Sequence, residues 1–163
     1  MNPYILGILW SIGYYEPTEK VFILRHKDKY FLEKVKDYVG SEAAVRKQVN
    51  QGKYIIKLGQ YCFDIDELCQ YGWTERNSRD RPYPNINEHQ DFIRGYFEIH
   101  GRISKVQLRD RRRSRTQIQV QTRLRIYGNQ TLVQAINEII SFELGIPTKK
   151  LEKTSTEHSK VLG

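Results

Sequence analysis

Long hydrogen-bonding side chains alternate with apolar or small ones along residues 115–127. The odd positions are Arg115, Gln117, Gln119, Gln121, Arg123, Arg125 and Tyr127. The even positions are Thr116, Ile118, Val120, Thr122, Leu124 and Ile126. A period of two places these sets on opposite faces of a β-strand. The face formed by the odd positions is suited to hydrogen bonding with base edges. Arginine can form two hydrogen bonds with guanine, and glutamine can form two with adenine.

A second strand precedes this one and would complete a two-stranded ribbon that fits the major groove. Its polar residues, expected on the same face, are Lys105, Gln107 and Arg109. The turn between the strands carries the phosphate-binding candidates Arg111, Arg112 and Arg113. Nine of the 24 residues from 102 to 125 are basic, and the only acid is Asp110. We expect the apolar face to pack on helices and the polar face to bind a polyanion, while a merely solvated polar face stays an alternative.

The formal net charge of +8 in 163 residues also indicates an acidic partner. Further candidates for DNA contacts in the first half are Arg25, Lys27, Arg46 and Lys57. A membrane is not expected as partner, because no apolar run approaches the ~20 residues of a spanning helix. The apolar stretch 4–12 lacks a basic leader, so the sequence predicts an intracellular protein.

Two apolar segments share a spacing of glycines. Residues 3–15 read PYILGILWSIGYY and residues 91–103 read DFIRGYFEIHGRI. The glycines lie six residues apart in each segment, as Gly7 and Gly13 and again as Gly95 and Gly101. Each segment is typical of a buried helix, and the first glycine of each pair leaves a flat spot for a close backbone approach. The two helices are therefore expected to pack against each other.

These two segments resemble the motif of the LAGLIDADG homing endonucleases. The resemblance implies two motif helices packed at a pseudo-twofold axis, with antiparallel sheets forming a concave surface over duplex DNA. It also implies a metal-binding carboxylate just before each final glycine, where this chain has Ile12 and His100. Isoleucine offers no oxygen to Mg²⁺, and histidine is a poor substitute for a carboxylate. We therefore expect no catalytic residue and no metal or other cofactor.

The predicted fold class is α+β, with a duplicated order of helix, two strands, helix and two strands. The first half, 1–72, ends in an extra helix capped by Asp64, residues 73–87 form a polar linker, and the second half covers 88–163 without that last helix. In the second half, Ile136, Ile140 and Leu144 predict the apolar stripe of a helix.

The leading hypothesis is a monomeric, sequence-specific double-stranded DNA-binding protein without cleavage activity, such as a regulator. One alternative is an active Mg²⁺-dependent homing endonuclease whose metal is held by groups such as Glu16 or Glu98. A second is an RNA-binding splicing cofactor of maturase type, as the resemblance also allows. A third is a protein-interaction module, whose binding would depend little on salt.

Overall fold

The structure is a computed structural model that describes residues 1–74, 80–110, 117–153 and 160–162. These residues form two compact units, Met1–Ile99 and His100–Gly163. Both units combine helix with antiparallel sheet, so the α+β class predicted from the sequence is confirmed. No helix within the described ranges is long and apolar enough to cross a membrane.

The first unit contains four α-helices and four strands in its described part. They are α1 (Pro3–Ile12), β1 (Gly13–Glu16), β2 (Val21–His26), α2 (Lys29–Tyr38), β3 (Arg46–Gln48), β4 (Lys53–Gly59), α3 (Ile65–Gln70) and, up to its last residue, α4 (His89–His100). The side chains of Asp28 and Asp64 accept backbone N–H groups at the starts of α2 and α3. These N-caps satisfy amides that have no partner inside the helix.

The sheet of the first unit has the strand order β1-β2-β4-β3, and every neighbouring pair is antiparallel. One face carries Phe22, Leu24, Ile56 and Leu58, all fully buried. Helix α2 packs against β2 and β4 and covers this face. Burial of each such side chain stabilises the fold by roughly 2 kcal/mol. The opposite face of the sheet is left for other contacts.

Helices α1 and α4 pack through their glycines. A side chain at Gly7 would collide with the carbonyl oxygen of Phe92, and one at Gly95 would collide with the carbonyl oxygen of Tyr4. Each second-motif residue stands 88 positions after its first-motif counterpart, so Phe92 is the counterpart of Tyr4. The two contacts are therefore reciprocal, as a pseudo-twofold helix pair requires.

The polar segment predicted as a linker is packed onto the first unit where it is described. Trp73 and Arg81 are buried, with Arg81 fully enclosed. The Trp10 indole N–H donates to the carbonyl of Pro82 at 2.7 Å, and the Tyr83 ring lies edge-on to Phe92 at 5.0 Å. Aromatic packing thus fixes this segment against both α1 and α4, although its composition is that of a loop.

The second unit repeats the strand order of the first. It contains β5 (Gly101–Asp110), β6 (Gln117–Gly128), α5 (Gln130–Leu144), β7 (Glu152–Lys153) and β8 (Lys160–Leu162). Its sheet runs β5-β6-β8-β7, which matches β1-β2-β4-β3 strand for strand. Gly40 and Gly145 follow α2 and α5 with φ of 65° and 61°, the left-handed conformation that ends a helix.

The apolar stripe predicted for α5 holds at Ile136 and at the half-buried Ile140 but is wrong at Leu144. The helix buries Leu132, Val133 and Ile136, whereas Leu144 is 66% exposed. A spacing of four drifts by about 40° per step around a helix, so a stripe built only on that spacing leaves the buried face. The observed face continues through the buried Asn137, whose amide exchanges two hydrogen bonds with the backbone of Lys149.

Candidate nucleic-acid interface

Three of the predicted basic residues lie on one face of the first-unit sheet. Arg25 on β2 and Arg46 on β3 both pair with Ile55 on β4, so these three side chains form a row across the sheet. Lys57 lies two residues further along β4 and therefore on the same face. Arg25, Arg46 and Lys57 are exposed. We call this the outer sheet face, since it is opposite to the face that α2 covers.

Gln48 extends the outer sheet face beyond the predicted residues, and the basic Lys53 lies beside it. Gln48 on β3 pairs with Lys53 on β4, in the same alternation as Arg46 and Ile55. Gln48 was missed because its pairing depends on the turn that ends at Gly52, whose φ of 61° no strand pattern specifies. Gln48 is half-buried and its amide oxygen lies below the surface, so the exposed groups of this face are mainly cations.

Lys27 and Lys57 differ from the two arginines, Lys27 in its position and Lys57 in its ion pair. Lys27 follows the end of β2 and is exposed, but it lies outside the strand ladder. Lys57 makes an ion pair with Glu19, and both side chains are about half exposed, 49% and 52%. An exposed pair of this kind contributes only about 0–1 kcal/mol, so a stronger anionic ligand can compete for Lys57.

The register of the β5–β6 ribbon differs from the predicted arrangement. Val106 pairs with Gln121, whereas Gln107 pairs with Val120. Because paired residues point to the same face, the polar residues of β5 share a face with the even positions of β6. The prediction that Lys105 and Gln107 share a face with Gln121 is therefore wrong. Arg109 is likewise paired with an even position, Ile118.

The cause of this error is the connection between the strands. Alternation within one strand fixes which of its own residues share a face, but not how two strands align. The length and conformation of the turn set that alignment, and a shift of one residue exchanges the faces. Gly101 pairs with Ile126 at the base of the ribbon, so odd positions meet even ones all along it.

The ribbon is exposed on both faces in its described part. Gln121, Lys105 and Gln107 are exposed, and Arg123 and Arg125 are half-buried. The expectation that the apolar face packs on helices holds only at the base, where Ile126 is 1% exposed. Further along, the apolar residues Ile103, Val120 and Leu124 are 65%, 61% and 48% exposed. Most of the ribbon therefore extends past α5.

The remaining predicted ribbon residues are only partly described. Arg111, Arg112, Arg113 and Arg115 lie outside the described residues. The backbones of Arg109, Gln117 and Gln119 belong to β5 and β6, while their side chains lie outside the described part.

The positions of the two motif acids do not fit Mg²⁺. Ile12, the last residue of α1, carries no oxygen on its side chain, and His100, the last residue of α4, offers only nitrogen. Within the described ranges, no three His, Cys, Asp or Glu side chains are grouped so that they could hold a metal ion.

The backbone oxygens at the end of α1 are engaged by Arg81. Its five N–H groups donate to four carbonyls: two bonds go to Thr74, and one each goes to Leu9, Trp10 and Gly13, at 2.8–3.2 Å. A cation at this position also compensates the negative end of the helix dipole. No sequence signal marks this residue, because nothing distinguishes one arginine within a polar segment.

Burial lowers the pKa of Arg81 to about 9. The side chain nevertheless stays protonated at neutral pH, because carbonyl oxygens accept only from N–H groups and all five are present in the cation. Its guanidinium lies 3.5 Å from the Trp73 ring centroid, which adds a cation–π contact. Arg81 is therefore a buried structural cation at the end of the first motif helix.

The two glutamates considered as substitute metal ligands are occupied by hydrogen bonds to tyrosines. The Tyr14 hydroxyl donates to Glu16 at 3.0 Å. Glu98 accepts a hydrogen bond from Tyr4, and burial together with this bond raises the pKa of Tyr4 to about 12. Neither contact resembles the coordination of a hard cation, which needs several oxygens around one point.

A reciprocal glycine contact between α1 and α4 and two sheets of identical strand order define the LAGLIDADG homing-endonuclease fold. The solved structure of the LAGLIDADG meganuclease I-AabMI bound to uncleaved DNA is similar, with a TM-score of 0.65, 12% identity, and coverage of 99% of this chain and 77% of that one. The structure of the meganuclease I-SmaMI bound to uncleaveable DNA with a TTCT central four is also similar. Its TM-score is 0.63 and its sequence identity is 13%, and the match covers 98% of this chain and 77% of that one. The predicted fold is thus confirmed. No protein-family model and no curated sequence matches the chain.

Proposed function

We propose that this protein binds double-stranded DNA sequence-specifically on a LAGLIDADG-type scaffold and does not cleave it through a metal-dependent site. The main support for this proposal is the outer sheet face, where Arg25 and Arg46 lie on either side of Ile55 in one row. Arginine recognises guanine in the major groove, and an aliphatic side chain can contact the methyl group of thymine. The face therefore offers both polar and apolar base contacts.

Two further observations support DNA as the partner. The fold is shared with I-AabMI and I-SmaMI, whose structures were solved with DNA bound. The net charge of +8 favours a polyanion, and the β5–β6 ribbon adds exposed Lys105 and Gln107 on one face and exposed Gln121 on the other. Helices α1 and α4, which pack through Gly7 and Gly95, belong to one chain. We therefore infer that the protein binds DNA as a monomer.

The proposed lack of cleavage rests on the ends of the motif helices. Phosphodiester cleavage by metal ions needs negative oxygens that hold the ions at the phosphate. Ile12 and His100 supply none, and Arg81 occupies three of the backbone carbonyls at the end of α1. A regulator that occupies its site without cutting it is the role that fits this chemistry.

Replacing both Arg25 and Arg46 with alanine is expected to weaken binding to the preferred duplex and to relax its sequence preference. Each lost bidentate contact to a base should cost about 1–3 kcal/mol of discrimination at that base. Base preference can be measured by selection from a randomised duplex library, and affinity by titration at several salt concentrations. The loss should be larger for the preferred site than for random duplex.

Lys29→Ala is the matched control, because it removes one exposed cation from α2, on the other side of the sheet. It should leave the sequence preference unchanged. If the double variant lost affinity equally on all sequences, the outer sheet face would be only a phosphate-binding surface. Structured RNA that outcompeted duplex DNA at matched salt would contradict DNA as the partner.

A further inference from the structure

A groove of about 480 Å³ lies on the helix side of the first unit, between α1 and α2. Its floor includes the buried Ile5 and Val35, and its walls include the rings of Tyr4, Phe31 and Tyr38. The Tyr4 and Tyr38 rings are in tilted contact, with centroids 6.1 Å apart. We call this the α1–α2 groove.

The charged residues that line the α1–α2 groove are mostly acidic. They comprise three carboxylates, Asp28, Asp37 and Glu98, and one ammonium, Lys34. The excess of negative charge among these lining residues contrasts with the net charge of +8 of the whole chain. Asp28 also caps α2, and Asp37 lies 3.5 Å from the Lys36 ammonium, so neither is held in a tight buried ion pair. A ligand with positive charge is therefore favoured over an anion.

The aromatic rings of the groove already receive cations from the chain itself. The Lys34 ammonium lies 4.7 Å from the centroid of the Tyr30 ring, and the Arg94 guanidinium lies 4.8 Å from that of Tyr4. Such contacts form because the ring face is negative. Tyr38, at 56% exposed, presents its ring to solvent and can receive a cation from outside.

We propose that the α1–α2 groove binds a basic peptide segment of a partner protein, with an arginine or lysine side chain on the Tyr38 ring beside Asp37 and Glu98. The apolar floor would receive an aliphatic neighbour of that side chain. Because α2 covers the inner face of the sheet, the groove and the outer sheet face lie on opposite sides of it. A basic partner can therefore bind while the outer sheet face holds a polyanion, and this proposal stands whether or not that polyanion is DNA.

The test is a titration of the full chain with a short capped peptide of alternating arginine and leucine, followed through the NMR signals of the tyrosine rings. The signals of Tyr4, Tyr30 and Tyr38 should shift, and those of Tyr61, which is 79% exposed outside the groove, should not. The double variant Asp37→Asn with Glu98→Gln should weaken binding by about tenfold, as expected for the loss of about 1.4 kcal/mol.

The matched control is Asp66→Asn, which removes an acid of α3 that does not line the groove and should leave peptide affinity unchanged. DNA affinity of the groove variant should also be unchanged, which separates this proposal from the one above. Equal binding of a glutamate–leucine peptide would overturn the proposal. So would equal affinity for arginine amide alone, or peptide binding that the groove variant does not weaken.

Discussion

Replacing Gly95 with alanine is expected to destabilise the protein by about 3 kcal/mol or more. The new methyl group would overlap the carbonyl oxygen of Tyr4, lie 3.0 Å from its carbonyl carbon and lie 3.3 Å from the amide nitrogen of Ile8. All three are backbone atoms of α1, so no side-chain rotation can relieve the contact. The helices must separate, and the loss can be measured by urea denaturation followed by tryptophan fluorescence, since Trp10 lies in α1.

Gly40→Ala is the matched control for this experiment. Gly40 has a φ of 65° but no atom within 4 Å of an added Cβ, so alanine should cost only about 1 kcal/mol for the left-handed backbone. Equal losses for the two variants would mean that the helices do not approach as closely at Gly95 as the structure shows. Gly7→Ala should behave like Gly95→Ala, because its methyl group would meet Phe92 in the same way.

The second large effect is expected at Arg81. Replacement by alanine leaves the carbonyls of Leu9, Trp10 and Gly13 with fewer donors in a buried place and removes the packing against Trp73. An unsatisfied buried polar group costs about 1–3 kcal/mol, so a total loss of about 4 kcal/mol is expected. Equilibrium unfolding in urea measures it.

Two comparisons separate geometry from charge in this experiment. Arg81→Lys keeps the positive charge but has three donors on one atom instead of five on a planar fork, so we expect an intermediate loss. Arg94→Ala removes an arginine that is 63% exposed and paired with Asp91, and it should cost less than about 1 kcal/mol. If lysine fully restored the stability at position 81, the fork geometry would not matter and charge alone would hold α1.

Most helices and strands of the fold could be predicted from short sequence patterns, because each pattern acts on the backbone within a few residues of it. The glycine pairs placed both motif helices, and Asp64 marked the start of α3, since a capping side chain acts on the neighbouring backbone. The alternation of polar and apolar residues likewise predicted the two strands that form the β5–β6 ribbon.

Contacts between distant segments were not accessible in this way. The face shared by Gln107 and Val120 depends on a strand register that neither strand encodes alone. The contact of Arg81 with the end of α1 joins residues about 70 positions apart, and its segment has the composition of a loop. In the candidate site, Arg25 and Arg46 were predicted singly, but their position in one row could not be, because it depends on the pairing of both residues with Ile55.

The most direct measurement is incubation of the purified chain with a randomised duplex DNA library in the presence of Mg²⁺, followed by sequencing of both bound and cut molecules. Selection of a preferred duplex that remains intact is the predicted outcome, because the ends of α1 and α4 offer Ile12 and His100 in place of carboxylates. Accumulation of site-specific cleaved product that depends on Mg²⁺, or retention of no duplex at all, would contradict it.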